Sequence, residues 1–251
     1  MINELNHKTA LVTGGSKGLG RGIVEALAAQ GVKVWAIARD SERLESLKRE
    51  VQGVQTIAAD VTDPQVAAQS LRDIRPDILV LNAGATPAMS PISQLSWEDF
   101  NGVWETDVKA TFQFGREALL MPLAPGSTVV IVSSGAAIGG SPLSGSYAGA
   151  KRTQWFLGQY MQQEAMAMNL GIRFVVLVPQ QIVAVTELGD KAATNYAAAQ
   201  GISKEEFMNR MGTPRLTPEG VGQGVVSLIT EAGYSEGLAF GIRGQGLTSL
   251  N

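Results

Sequence analysis

The 251-residue chain contains no cysteine and a single histidine, His7. Without cysteine there is no disulfide and no thiol catalysis, and one histidine cannot build a structural zinc site or a Ser-His-Asp triad, so no metal site is expected. No apolar run approaches the ~20 residues of a membrane span. Met1-Ile2-Asn3-Glu4 lacks the basic start and apolar core of a secretory leader. The formal charge of −3 is modest, and its 20 basic and 23 acidic residues are unsegregated, which points away from nucleic acid and membrane surfaces as partners. There is no Ser/Pro-rich linker, no block of like charge and no internal repeat. These absences lead us to expect one domain over residues 1–251, a reducing cytoplasm and a small-molecule ligand.

What is present is alternation. Short apolar runs at 9–12, 32–38, 54–59, 78–81, 128–132 and 172–178 read as strands. Helical segments lie between them at 17–30 (closed by Gly31), 41–51 (Ser41 able to cap its start), 64–74 and 96–120, followed by a proline-free stretch from Gly149. The strand runs are apolar throughout rather than at every second residue, as in a parallel sheet covered on both faces. The expected fold class is α/β, a doubly wound parallel sheet, with a last strand at 238–242. Residues 183–212 contain no strand. Ala192-Ala193 and Ala197-Ala198-Ala199 favour helix there, and Phe207, Met208 and Met211 supply either an apolar lid face or ordinary core.

Ser134 follows the strand at 128–132, and strand ends are where open α/β sheets place their chemistry. Tyr147 and Lys151 are four residues apart, so on a helix they share one face. A hydroxyl, a phenol and an ammonium can thus converge on one crevice. Lowering a phenol's pKa by ~3 units takes about 4 kcal/mol, and one ammonium at ~4 Å with an effective dielectric of ~20 supplies about that much. A lysine one turn along therefore suffices to make a phenol a working general acid or base. The competing reading is that Tyr-x-x-x-Lys arises by chance, and the rest of the chain must decide.

Thr13-Gly14-Gly15-Ser16-Lys17-Gly18-Leu19-Gly20 lies between the first strand and the first helix. There, glycines permit a tight turn and close approach of backbone N–H groups to a pyrophosphate at the helix N-terminus; a merely flexible loop is the alternative. The spacing resembles the Thr-Gly-x-x-x-Gly-x-Gly of short-chain dehydrogenases/reductases. Asp60-Val61, Asn82-Ala83-Gly84, Ser134, Tyr147 and Lys151 match further motifs of that family, in register over nearly the whole chain. The resemblance implies a Rossmann fold and a nicotinamide cofactor held by Gly14, Ser16, Lys17, Gly18, Leu19 and Gly20, with Asp60 and Val61 at the adenine. Asn82, Ala83 and Gly84 would shape the crevice floor, and Pro179, Ile182 and Thr186 would follow the sixth strand. It implies that Tyr147 is the proton donor, that Lys151 also holds the nicotinamide ribose, and that Ser134 orients the substrate. It further implies that residues 183–213 close over the substrate as a lid and that the chain forms a homotetramer through its long helices, on which Trp104, Phe112, Phe114, Trp155, Phe156 and Tyr160 lie.

Cofactor choice turns on the end of the second strand, where an acid selects NAD and a basic residue NADP. Ala38 stands at the acid's position, Arg39 follows, and Lys17 is a second candidate for the 2′-phosphate, so the expectation is NADP(H). Three places depart from the family pattern. Asp107 stands where the family has an asparagine whose backbone carbonyl holds a water on the proton path; we expect that carbonyl to serve, the added carboxylate near Lys151 to strengthen the lysine's charge state while partly offsetting its pull on Tyr147, and Asp107 to join the catalytic set. Gln180 replaces a glycine and is expected to bring an amide toward the substrate space. Thr186 sits two residues late, and the ending Arg243-Gly244-Gln245-Gly246 is unusual. The expected pocket, around Ala85, Thr86, Gly135, Ala136 and Gln180, is small and mildly polar. The activity implied is hydride transfer between NADP(H) and a carbonyl or secondary alcohol. The alternative is an NADP(H)-binding regulator of the same fold that has lost turnover.

Overall fold

In the computed structural model, which describes residues 5–250, β1 (Thr9–Thr13) pairs in parallel with β2 (Lys33–Ala38), and β2 with β3 (Gln55–Ala58). On its other side β1 pairs with β4 (Ile78–Leu81), followed by β5 (Thr128–Val132), β6 (Arg173–Pro179) and β7 (Ala239–Arg243), all parallel. The chain closes with β8 (Gly246–Ser249), antiparallel to β7, giving the order 3-2-1-4-5-6-7-8. That hairpin was not expected, and it explains the unusual ending: Arg243 to Gly246 is its turn. The expected leader-free start at Met1–Glu4 lies outside the described residues.

The continuous apolar runs follow from two-sided burial. Every residue of β4 and β5 is buried. Along β1, Ala10 and Val12 face one core with Val34, Ala36 and Phe240, while Leu11 faces the other with Leu79, Ile131 and Phe174. The first core is covered by α1 (Gly18–Ala29), α2 (Ser41–Glu50) and, from the chain's end, α10 (Pro218–Thr230). The second is covered by α3 (Pro64–Ile74), α5 (Lys109–Leu120) and α7 (Gly145–Ala167). The fold is a single doubly wound α/β domain.

Local signals set the helix starts. Asp40 caps α2 by accepting from the Arg43 N–H at 3.0 Å, so the cap is Asp40 rather than Ser41. Asp63 and Thr217 cap α3 and α10, each followed by proline at the first helical position. The segment expected as one helix over 96–120 is broken. Ser96 caps α4 (Trp97–Val103), a π-helical stretch Trp104–Val108 follows, and α5 resumes at Lys109. A short α6 (Ala136–Gly139) lies between β5 and α7. Residues 183–213 hold α8 (Glu187–Ala199) and α9 (Lys204–Asn209), which bury Ala193, Ala197, Phe207 and Met208 in a small core of their own. Among the described residues no helix is long and apolar enough to cross a membrane, and no group of three or more His, Asp or Glu is placed to hold a metal ion.

Candidate active site

The strand order reverses between β1 and β4, and the carboxyl ends of those strands open onto a cavity of about 1060 Å³. All the residues singled out from the sequence line it: Gly14 to Gly20 (Gly15 excepted, which was not assigned), Arg39, Asp60, Val61, Asn82 to Gly84, Asp107, Ser134, Tyr147, Lys151, Pro179, Ile182 and Thr186.

The nucleotide half is built from the turn after β1. Gly14 and Gly18 both take left-handed φ, +67° and +56°, which a side chain resists. Asn82 braces that turn, its Nδ2 donating to the carbonyls of Thr13 (3.1 Å) and Gly14 (3.3 Å), while its N–H and that of Ala83 donate to Thr13 Oγ1. Helix α1 then starts at Gly18 with no side-chain cap and no acid in its first turn, whereas α2, α3, α8 and α10 are each capped. Uncapped N–H groups at a cavity, beside glycines that carry no side chain, suit an anion, so the turn fits a dinucleotide pyrophosphate. Asp60 Oδ1 accepts from the N–H and hydroxyl of Thr62, both at 2.9 Å, and these bonds hold its carboxyl below the usual range. Arg39 is exposed at the rim, and Asp40 beside it is committed to α2 and to Arg43 at 3.1 Å.

Lys17 differs from the expectation. Its ammonium pairs with Glu187, the first residue of α8, and Glu187 also takes Arg43 Nη2 at 2.8 Å. One carboxylate thus ties the glycine turn and α2 to the segment over the cavity. The two cations hold the Glu187 carboxyl below its ordinary value, the Lys17 hydrogen bond first. Thr186 caps α8 through the Gly189 N–H at 3.0 Å and lies opposite Gly18, so its late position is made up by the turn that precedes α8.

At the other half Tyr147 and Lys151 share a face of α7, with the ammonium 5.6 Å from the phenol ring centroid. Ser133 anchors the helix by donating to the Lys151 carbonyl at 2.8 Å, and Ser134, next in the chain, accepts from the Ala136 N–H at 3.2 Å. The π-helical turn carries Asp107 inward until it is fully buried, and its Oδ2 lies 2.9 Å from Lys151 Nζ. Its Oδ1 accepts from the Ala85 N–H at 2.7 Å. Gly84 leaves the room, because a Cβ there would stand 2.8 Å from Oδ2. Gln154, one turn beyond Lys151, donates to the Asp107 carbonyl at 3.0 Å, while the Asp107 carboxylate meets the lysine. Burial opposes the Lys151 charge, but Asp107 and then Tyr147 outweigh it, and the lysine's pKa is raised.

Gln180 lines the cavity as expected, but its side chain is directed elsewhere. Its Oε1 accepts from Arg243 Nε at 3.0 Å and its amide covers Gly241, so the end of the side chain lies along β7. Gln181, which the sequence did not flag, donates from Nε2 to the carbonyls of Met211 (3.1 Å) and Pro214 (3.4 Å) and accepts at Oε1 from the N–H groups of Leu216 (3.0 Å) and Gly244 (2.8 Å). Ser141 Oγ and Tyr196 OH stand 2.6 Å apart, joining the stretch before α7 to α8. The pocket is larger and more apolar than expected, with Met89, Leu143, Phe207 and Met211 in its lining. Gln154 had a faint signal in the sequence, three residues from Lys151 on one helix; Glu187, 170 residues from Lys17, had none.

The chain matches the family described as short chain dehydrogenase over residues 8–197. It is similar to the L-xylulose reductase of Bos taurus, 34% identical over 130 residues covering 52% of this chain and 53% of that one. It is also similar to carbonyl reductase [NADPH] 2 of Sus scrofa, 28% identical over 207 residues covering 80% and 82%. The chain thus spans about half the length of the first of these relatives. Among solved structures, an NAD+-bound xylitol dehydrogenase superposes with a TM-score of 0.84 at 18% identity, covering 96% of this chain and 99% of that one, a likeness of fold.

Proposed function

Since this chain belongs to the short-chain dehydrogenase family, we propose that it is an NADP(H)-dependent oxidoreductase acting on a carbonyl or secondary alcohol, with Tyr147 as the proton donor and acceptor. The observation that carries the reading is the opening of Ser134, Tyr147 and Lys151 onto the same cavity as the uncapped glycine turn. When bound, the nicotinamide supplies or accepts the hydride. The chain's own residues manage the oxygen. Ser134 Oγ, already accepting from Ala136, keeps its proton to donate to the substrate oxygen and stabilise charge there. Tyr147 gives or takes the proton at that oxygen. Lys151 provides the adjacent positive charge, and Asp107 holds the lysine in place and keeps it charged.

For the cofactor, Gly14, Ser16, Gly18, Leu19 and Gly20 would cradle the pyrophosphate, and Asp60 and Val61 would border the adenine. Asn82, Ala83, Gly84, Pro179, Ile182 and Thr186 would enclose the nicotinamide end. Arg39, exposed at the rim and close enough for its charge to act on Asp60, supports the NADP(H) assignment, and Lys17 would add to it once released from Glu187. The carbonyl reductase among the relatives is named for NADPH, whereas the xylitol dehydrogenase holds NAD+. We take residues 183–213 as the lid, the cysteine-free chain as cytoplasmic and the assembly as a homotetramer.

The test is NADPH consumption over a panel of carbonyl compounds with Tyr147→Phe as control. We expect turnover with the parent and a loss of about a hundredfold or more in the variant. If no compound is reduced while NADPH binds, a cofactor-binding protein without turnover takes the place of this reading. NADH used as efficiently as NADPH would overturn the cofactor assignment alone.

A further inference from the structure

The charges that line the cavity are unevenly spread. Lys17, Arg39, Asp40 and Asp60 stand at the ends of β1, β2 and β3. The opposite half, bounded by the loop after β4, residues 135–144 and residues 180–211, contributes one charged lining residue, Glu187, and its carboxylate reaches back to Lys17 and Arg43. The buried Lys151 ammonium is already held by Asp107, by the Val132 carbonyl and beside Tyr147.

Most hydrogen-bonding side chains of that half are also engaged, Thr86 in the loop after β4 being the exception. Ser141 holds Tyr196 at 2.6 Å and Ser144 at 3.1 Å. The Gln181 amide makes four bonds to main chain, and Gln180 receives Arg243. What is left to meet a ligand beyond Ser134, Tyr147 and the single hydroxyl of Thr86 is mostly hydrocarbon: Met89, Leu143, Ala192, Phe207 and Met211. Tyr196 stacks on Phe207, centroids 5.8 Å apart, which holds that wall flat.

We propose that the substrate is a neutral carbonyl compound with an alkyl or aryl body, and not a keto acid, a phosphorylated carbonyl or a polyhydroxylated sugar. The inference rests on the hydride-transfer reading and narrows it. An anion entering this half sheds water without finding a free cation. A sugar presents several hydroxyls to partners already bonded to one another, and each unmatched one is a penalty. An apolar body exchanges water for the methionine, leucine and aromatic wall and gains by burial. The apolar half therefore discriminates chiefly by what it refuses to solvate.

The experiment compares kcat/KM of the full chain with NADPH for propiophenone and 2-octanone against L-xylulose and pyruvate. Each ketone is expected to exceed both polar compounds by at least about tenfold; either polar compound matching the ketones overturns the proposal. Met211→Ala is expected to raise KM for 2-octanone several-fold with kcat little changed, and an unchanged KM also counts against it. If nothing in the panel is turned over, the hydride-transfer reading has failed and calorimetric titration with the same four compounds decides. Preferential binding of the two ketones upholds the apolar class on its own, and preferential binding of L-xylulose or pyruvate, or no binding of the ketones, sinks it.

Discussion

Lys151 is a charge kept where burial resists it. Desolvation lowers its pKa, and the Asp107 carboxylate at 2.9 Å, helped by Tyr147, more than reverses this. Asp107→Asn removes the anion and leaves burial in command. The lysine then loses its proton at lower pH, and the alkaline limb of kcat/KM for carbonyl reduction moves to lower pH by about one unit or more. At neutral pH the rate should stay within about tenfold of the parent, since the amide can still accept from Ala85. An alkaline limb that does not move would mean Asp107 has no hold on the lysine. The sign for stability follows from the raised native pKa. The contribution of charged Lys151 is complete below the ordinary lysine value of ~10.4 and is lost as pH climbs through the higher native one. Asp107→Ala, which strands a buried ammonium, should cost about 3–5 kcal/mol in urea unfolding.

Among elements, close approach of backbone matters as much as side-chain packing. Helices α1 and α10 cross where a Cβ on Gly222 would run into the Gly22 carbonyl. Gly222→Ala must push α10 off α1, and we expect a loss of about 1–3 kcal/mol in unfolding free energy, together with weaker cofactor binding because α1 carries the glycine turn. An unaltered midpoint would show that the crossing gives way freely. At the edge of the cavity, Glu187→Gln frees Lys17 for a 2′-phosphate, Arg43 keeping Asp40. The ratio of NADPH to NADH affinity should rise several-fold, measured by fluorescence titration, while Arg39→Ala should lower it; a ratio unmoved by Glu187→Gln would mean the carboxylate does not compete. The elements legible in the sequence were those whose pattern is a direct record of burial, such as the wholly apolar β4 and β5. The π-helical turn was not, because 96–120 keeps an unbroken helical pattern while one turn loosens. Nor was β8, whose Gly-Leu-Thr-Ser is half polar and pairs only at the sheet's edge. In the site, motif residues adjacent in sequence were readable, whereas the partners Glu187, Gln154 and Gln181 are chosen by the tertiary fold.

For the whole molecule, α5 and α7 cover the same face of the sheet, yet Phe112, Leu120, Phe156, Tyr160 and Met166 remain exposed on them. Phe156 and Tyr160 stack on one another, and Arg152 lies over Phe156 at 4.8 Å. Phe114 and Trp155, on the same two helices, are buried and so cannot join that surface. A homotetramer would cover the exposed set. Light scattering should give four chains per particle, and Phe112→Glu with Tyr160→Glu should yield smaller species with the fold intact by circular dichroism; a monomeric parent would remove the tetramer.

The four bonds of Gln181 join residue 181 to Met211, Pro214, Leu216 and Gly244, so the excursion from 182 to 211 leaves the body and returns at one cinched neck. Its interior is apolar and its own, while its attachments outside the neck include the polar contacts of Glu187, Lys191 with the Pro87 carbonyl, and Tyr196 with Ser141. A unit built this way behaves as a cassette. If these residues are the lid proposed above, exchanging them for a segment of similar length, with the glutamine at the neck kept, would alter substrate choice without reopening the sheet or touching the groups that transfer the proton.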